Sequence, residues 1–487
     1  MKSFLPILLF CILLNDPVRA SAEVSQKPNV ILIIVDDLND YLGCLGGHPQ
    51  AKSPRIDQLA RQGVLFSNAH ASAPVCNPSR TSMLLGVHPH RTSVLGNDTD
   101  WRKLPCRDLH PSLPSWLRQN GYITAAGGKV FHANHGGPTQ MEGGPNGRAG
   151  YDDPGAWSLR FPRQGVQAPK FWCNPVQNFT GLGIWDWDWK GFDIDDSLHP
   201  DGQTVEWATR VLPQLNGPFF LSVGLVGTHL PWYCGKKYFE EFPLAKIRRP
   251  DVLENDLDDV PAIAKAGWLR DGHHDTILKK GLWEEALQAY LAEVLFVDTM
   301  VGKLIDALDA SPSKNNTYVI LTSENGWYLG EKQRWHKGGL WEETTRVPLI
   351  IRTPTGETRI CREAVSLVDI YPTIMDLTGI APPPAKLDGY SLASFWDAKK
   401  TRTHPGYALT VTPTGKGAQD VSFAIRDSRW RYIHYHDGSE ELYDHDGDPH
   451  EWTNLAGKSE FEPTLNGFRR KLPDLNAPDP DSPSRRR

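Results

Sequence analysis

The sequence predicts an α/β protein, a mostly parallel sheet with helices on both faces, followed by a small C-terminal antiparallel sheet. Three observations carry that reading. Short apolar runs at 30–35, 219–226, 318–322 and 347–351 have the pattern of strands buried on both faces. Amphipathic stretches with helical spacing alternate with them at 53–63, 113–120, 201–215, 284–308 and 369–377. Beyond residue 407 the pattern changes to short strands with turns at Asp437-Gly438 and Asp446-Gly447.

At 487 residues the chain is longer than one ordinary core supports, so a large domain with a smaller appendage is expected. Residues 1–22 carry Lys2, an apolar run over 4–14 and the small residues Ala20-Ser21-Ala22, the layout of a secretory signal. That run is too short to span a bilayer, so an exported protein, periplasmic or extracellular, with no membrane span after cleavage is expected. The main domain is placed at 23–395, the antiparallel subdomain at 396–475 and a disordered tail of proline, acid and arginine at 476–487. A net charge of -6 offers no basic stripe to follow a phosphate backbone, which argues against a nucleic-acid partner. Of seven cysteines, Cys11 leaves with the signal, and the rest show neither CxxC nor zinc spacing. If Cys76 is chemically consumed, at most two disulfides can form. P-loop, GxGxxG and HExxH patterns are absent.

Taken in order, the strand at 30–35 ends abruptly in Asp36-Asp37. Ligands of open α/β sheets collect at the carboxyl ends of parallel strands, so these carboxylates stand where a site belongs. A helix over 53–63, opened by Ser53-Pro54 and stopped by Gly63, leads to a short strand at 64–66. The stretch 73–86 follows, with Cys76-Asn77-Pro78-Ser79-Arg80 at its centre. Pro78 suits a first helical turn, which puts Cys76 at a helix N-terminus, where free N–H groups and the dipole favour an anion.

A strand over 122–126 runs into Gly127-Gly128-Lys129-Val130-Phe131-His132, so Lys129 and His132 leave one strand end together. Residues 134–183, rich in Gly, Pro and aromatics, read as a long surface excursion of the kind that often forms a lid. The run Trp185-Asp186-Trp187-Asp188-Trp189 would set three indoles on one face of a strand, for stacking on a sugar or for packing over a pocket rim. The strand at 219–226 ends at Gly227-Thr228-His229, and that at 318–322 ends at Ser323-Glu324-Asn325-Gly326. Lys337 lies in the loop beyond.

Asp36, Asp37, Glu324 and Asn325 thus offer four hard oxygen ligands from two strand ends, a set suited to calcium or magnesium, with the ligand number favouring calcium. Arg80, Lys129, His132, His229 and Lys337 are expected at the same edge. Three carboxylates, a divalent cation and a monoanionic ester sum to about -2, and the three permanent cations bring this to about +1, so the pocket balances only with an anion present.

At Cys76-Asn77-Pro78-Ser79-Arg80, followed by Thr81, Leu85 and Gly86, the chain resembles the type I sulfatases of the alkaline phosphatase-like superfamily. The likeness covers nearly the whole mature chain and is greatest to the iduronate-2-sulfatase branch. It implies that a formylglycine-generating or equivalent maturation enzyme oxidises Cys76 to formylglycine. It further implies that Asp36, Asp37, Glu324, Asn325 and modified Cys76 bind one Ca2+, that Arg80 holds the formylglycine, and that Lys129 and Lys337 clamp sulfate oxygens. His229 would protonate the leaving alcohol, and His132 would orient or deprotonate the second hydroxyl of the aldehyde hydrate. Two geminal hydroxyls explain why a cysteine is spent: one attacks sulfur and the other expels sulfate, whereas a sulfated serine could not collapse. The family usually has Asp where this chain has Glu324, a change a flexible calcium shell tolerates. The function implied is removal of sulfate from a sulfated oligo- or polysaccharide. The competing readings are a phosphate or phosphonate ester hydrolase of the same fold, separable by turnover on aryl sulfate and aryl phosphate, and a non-catalytic sulfated-glycan-binding relative, which would bind without releasing sulfate.

Overall fold

The computed structural model describes residues 27–132, 150–153, 155–161, 178–184, 187–266, 272–415 and 420–475. The expected signal, the C-terminal tail, most of the 134–183 excursion and Trp185 lie outside them.

Eight strands form the main sheet. In chain order they are β1 (Asn29–Val35), β2 (Val64–Phe66), β3 (Ile123–Gly128), β4 (Leu159–Arg160), β5 (Phe219–Leu225), β6 (Thr317–Ser323), β7 (Leu349–Arg352) and β8 (Arg359–Cys361). They lie side by side as β8-β2-β7-β6-β1-β5-β3-β4. Every neighbouring pair is parallel except those made by β7, which runs against both β6 and β2. The sheet is therefore mostly parallel, with one reversed strand.

The sequence of β1 is continuously apolar because both its faces are covered. Ile31, Ile33 and Val35 enter one core, and Val30, Leu32 and Ile34 enter the other. The first core is closed by α1 (Pro54–Arg61), α4 (Pro200–Val211) and α5 (Trp283–Asp309), the second by α2 (Cys76–Leu85), α3 (Leu113–Gln119) and α6 (Ile370–Thr378). The long helix α5 buries Ala286, Leu287, Tyr290, Leu291, Val294, Val297, Val301, Leu304 and Leu308, the i, i+3, i+4 stripe that its spacing predicts.

The C-terminal unit is a four-stranded antiparallel sheet, β9 (Ala408–Pro413), β10 (Val421–Arg426), β11 (Trp430–His434) and β12 (Glu440–Asp444), in sequential order, backed by α7 (Glu462–Arg469). It docks beside the cysteine stretch: Thr410 Oγ1 donates to the Ala71 carbonyl at 2.7 Å and Val411 N to that of Ser72 at 2.9 Å. Arg431, fully buried, joins the two units by ion pairs to Glu342 and Glu451 and a 3.0 Å bond to the Leu340 carbonyl.

Cys44, Cys76, Cys106, Cys234 and Cys361 are free thiols, so no disulfide forms among the described residues, within the limit of two that the sequence sets. Three of them serve as small apolar residues, Cys234 in one core and Cys106 and Cys361 in the other. Of the tryptophan run, Trp187 and Trp189 are buried, which fits packing and not stacking on a sugar, and a strand starts at Trp189. Asp188 between them is buried too, accepting the Phe179 and Thr180 amides at 2.8 Å each, with the Tyr233 hydroxyl as a further donor. Among the described residues, no helix is long and apolar enough to cross a membrane.

Candidate active site

The carboxyl ends of four adjacent strands, β6, β1, β5 and β3, supply the site. Asp36 and Asp37 follow β1, and Asp37 takes a left-handed backbone (φ 59°), a conformation aspartate tolerates. Glu324 and Asn325 follow β6, His229 follows β5, and Lys129 follows β3. Gly128 sets the turn into Lys129: its φ is 71°, and a Cβ there would sit 1.9 Å from the Gly224 carbonyl oxygen. Only glycine allows β3 and β5 to approach this closely.

Helix α2 starts at Cys76, with Val75 as its extended cap, so the thiol stands at a helix N-terminus as the sequence predicts. Its Sγ lies 3.8 Å from Asp36 Oδ1, 3.7 Å from Asp37 Oδ1 and 2.9 Å from Lys337 Nζ. One turn later Arg80, fully buried, sends Nη2 to Asp36 Oδ1 and Glu324 Oε2, both at 3.0 Å, while Nη1 donates to the Lys129 and Val130 carbonyls. Lys129 Nζ pairs with Asp36 Oδ2, and Lys337 Nζ with Asp37 Oδ1 and Oδ2. His229 turns Nδ1 to the Leu230 carbonyl and places Nε2 3.7 Å from Asp37 Oδ2. Asn325 Nδ2 donates to Asp37 Oδ1 at 2.8 Å. His132 is buried two residues beyond the Val130 carbonyl that Arg80 holds, with its ring against Tyr151 at 5.9 Å.

The residues singled out in the sequence thus meet around Cys76, with His132 on the adjoining segment. Three supports escaped that reading. Ser79 Oγ donates to the Glu324 carbonyl at 2.6 Å, Thr228 Oγ1 to the Asp36 carbonyl at 2.7 Å and Tyr290 OH to the Asp37 carbonyl at 3.0 Å. Thr228 had a usable signal, standing beside His229 at a strand end. Tyr290 had none, because its spacing marks it only as helix core.

Electrostatics separate the carboxyl groups. Burial opposes ionisation of Asp36, yet Lys129 and Arg80 overcome it and hold its carboxyl well below the usual range. For Glu324 burial wins over Arg80, and its pKa is pushed up to about 8. Burial also raises the Cys76 thiol, against the pull of Lys129 and Lys337, so this cysteine is poorly suited to act as a thiolate. Burial and Lys337 lower His229 to about 4, and Asp37 opposes them.

The donor set fits a hard divalent cation. Ligand atoms of Asp36, Asp37, Cys76 and Glu324 lie within 4.8 Å of one another. Glu324 Oε1 and Asn325 Oδ1 are buried without a hydrogen-bond partner, which is costly unless a cation takes them. All are oxygen donors apart from residue 76, the choice of calcium or magnesium rather than zinc.

The mostly parallel sheet with helices on both faces and a small antiparallel sheet beyond it is the alkaline phosphatase-like fold. Among proteins of that fold the chain belongs to the sulfatase family, whose model, described as Sulfatase, matches residues 28–380. A second model, described as N-sulphoglucosamine sulphohydrolase, C-terminal, matches residues 330–478. Among curated relatives, a "Sulfatase" of Formosa agariphila is 33% identical over 95% of this chain and 90% of its own. Iduronate 2-sulfatase of Mus musculus is 30% identical over 77% of this chain and 73% of its own. Among solved structures, a phosphonate monoester hydrolase of Agrobacterium radiobacter superposes with a TM-score of 0.75 at 22% identity, covering 92% of this chain and 95% of that one. A 2-O GAG sulfatase superposes with a TM-score of 0.68 at 23% identity, covering 92% and 91%. At those identities the two structures establish the fold.

Proposed function

We propose that this protein is an exported sulfuric-ester hydrolase that removes sulfate from a sulfated, glycosaminoglycan-like saccharide. The observation that carries the reading is the setting of Cys76. A cysteine in the Cys-Asn-Pro-Ser-Arg motif sits at a helix N-terminus, beside two carboxylates and 2.9 Å from the Lys337 ammonium. The saccharide class is supported by relatives named for iduronate 2-sulfatase activity and by the fold shared with a 2-O GAG sulfatase. Export rests on residues 1–22.

Asp36, Asp37, Glu324 and Asn325 would hold a calcium ion, which would supply positive charge beside residue 76, and a formylglycine-generating or equivalent enzyme would mature Cys76 to formylglycine, which would supply two hydroxyls, one for attack on sulfur and one for release of sulfate. The chain's own residues do the rest. Lys129 and Lys337 bind sulfate oxygens, and burial strengthens both contacts. Arg80 neutralises the Asp36–Glu324 pair and ties α2 to the Lys129 segment, fixing residue 76. His229 donates a proton to the leaving alcohol. Burial is the largest cause of its lowered pKa and Lys337 the next; a bound sulfate beside Lys129 and Lys337 offsets the cationic part and so favours the imidazolium. His132 orients the second hydroxyl and takes its proton.

Turnover tests the reading. With protein from a host that performs the maturation, an aryl sulfate and a sulfated uronate disaccharide are expected to release sulfate, and an aryl phosphate to react at least ~100-fold more slowly in kcat/KM. Faster phosphate or phosphonate hydrolysis would transfer the assignment to the phosphonate hydrolases that share the fold.

A further inference from the structure

The loop carrying His229 is held in a constrained backbone geometry by a residue outside the site. Thr228 has φ of 24°, a value a β-branched residue adopts only when its surroundings impose it. Its hydroxyl donates to the Asp36 carbonyl and its own carbonyl accepts from Trp232 Nε1, both at 2.7 Å. The His229 amide returns to the Val226 carbonyl at 2.9 Å.

The two amides just before Thr228 end on one carboxylate. Asp201 accepts from Val226 N at 2.9 and 3.0 Å and from Gly227 N at 2.7 Å. It sits in the first turn of α4, where the helix dipole favours a carboxylate, and is 1% exposed. Glu293 of α5, equally buried, closes the other side: a Cβ on Gly227 would lie 3.0 Å from Glu293 Oε2, 3.3 Å from Asp201 Oδ2 and 2.9 Å from Val297 Cγ2. Burial, with Asp201 nearby, raises Glu293 well above the usual carboxylate range, and burial raises Asp201 to about 6 against the pull of the Val226 and Gly227 amides. Asp201 remains the acceptor of the backbone. No residue of the site described above contributes to this clamp.

We propose that Asp201 is a positioning residue: by holding the Val226 and Gly227 amides it fixes the loop that aims His229 Nε2 at the departing oxygen of the substrate. The inference rests on the sulfatase reading and on His229 as proton donor. Asparagine at 201 can keep the oxygen that accepts both amides but replaces the other, which accepts from Val226 N, with an NH2 group that opposes that N–H, so the start of the loop is loosened while the remaining site residues keep their contacts.

A donor that is mis-aimed matters only for leaving groups that need a proton. Asp201→Asn is therefore expected to lower kcat on a sugar sulfate by ~10-fold or more, with 4-nitrophenyl sulfate, whose leaving group departs unprotonated, changed by less than ~3-fold and KM preserved on both. His229→Ala should show the same leaving-group dependence in stronger form. Hydrogen exchange supplies a second readout: peptides covering 226–232 should exchange faster in Asp201→Asn than in the parent. If that variant does not accumulate folded, Asp201→Ser, with a single acceptor in the same turn, gives the same ratio. An equal fall on both sulfates, or parental kcat on the sugar sulfate, overturns the role of Asp201. Absence of the leaving-group dependence in His229→Ala overturns the proton-donor assignment, and a parent that releases no sulfate overturns the sulfatase reading itself.

Discussion

Cys76→Ser is expected to abolish multiple turnover and to leave one sulfuryl group on the protein. A serine hydroxyl at the N-terminus of α2 faces the same Asp36, Asp37 and Lys337 groups as the thiol it replaces, so it can still be presented to a bound sulfate. Attack on sulfur would release the alcohol and leave a sulfate ester on the substituted serine. That ester has no neighbouring hydroxyl through which to collapse, and water must reach a fully buried position to hydrolyse it. Steady-state turnover should fall by at least ~10⁴-fold, the scale on which loss of a nucleophile acts. Intact-mass measurement after exposure to substrate should show the added sulfuryl group at most once per chain. Sustained turnover by the serine variant would contradict the need for two hydroxyls at this position.

Asp36→Ala is expected to have the second largest effect, and on stability as well as rate. Asp36 is shared: Arg80 binds one oxygen and Lys129 the other, and all three side chains are buried. Removing it leaves Lys129 without its carboxylate and Arg80 with Glu324 alone, and subtracts one ligand from the proposed ion. Breaking a buried pair from one side costs about 3–5 kcal/mol, so the thermal midpoint should drop by several degrees even without metal. Calcium at about 100 times its Kd should stabilise the parent by ~2.7 kcal/mol and the variant far less. Glu324→Ala is the milder companion, because Arg80 retains Asp36; it should still lower bound calcium and turnover. Unfolding scans with calcium and with chelator, together with metal content, check both variants. An unchanged calcium response in Asp36→Ala would remove that residue from the ligand set.

Much of this architecture is legible before folding, for definite reasons. The strands that matter most are covered on both faces, so β1, β5 and β6 are continuous apolar runs, and the polar residues that break them fall at the sheet's carboxyl edge. Asp36-Asp37, His229 and Glu324-Asn325 are visible for that reason alone. The reversal of β7 is not visible, because strand direction is set by the path of residues 324–348 and not by composition. The strand Glu440–Asp444 is disguised by its charges: Glu441 is buried because Trp341, Tyr435 and Tyr443 all donate to it. The same disguise applies at Trp187-Asp188-Trp189, where alternation suggests a wet face and distant donors make it dry. Tyr290 and Asp201 escape for a related reason. Each acts on the site through backbone groups of another element, and no local pattern announces such a contact.

The sulfatase reading stands on what residue 76 becomes, and peptide mass analysis of the 72–80 region in turnover-competent protein tests it most directly. The expected peptide has lost the thiol sulfur of Cys76, carries an aldehyde in its place and reacts with a hydrazide probe. Active protein whose 72–80 peptide retains an unmodified thiol throughout would contradict the account.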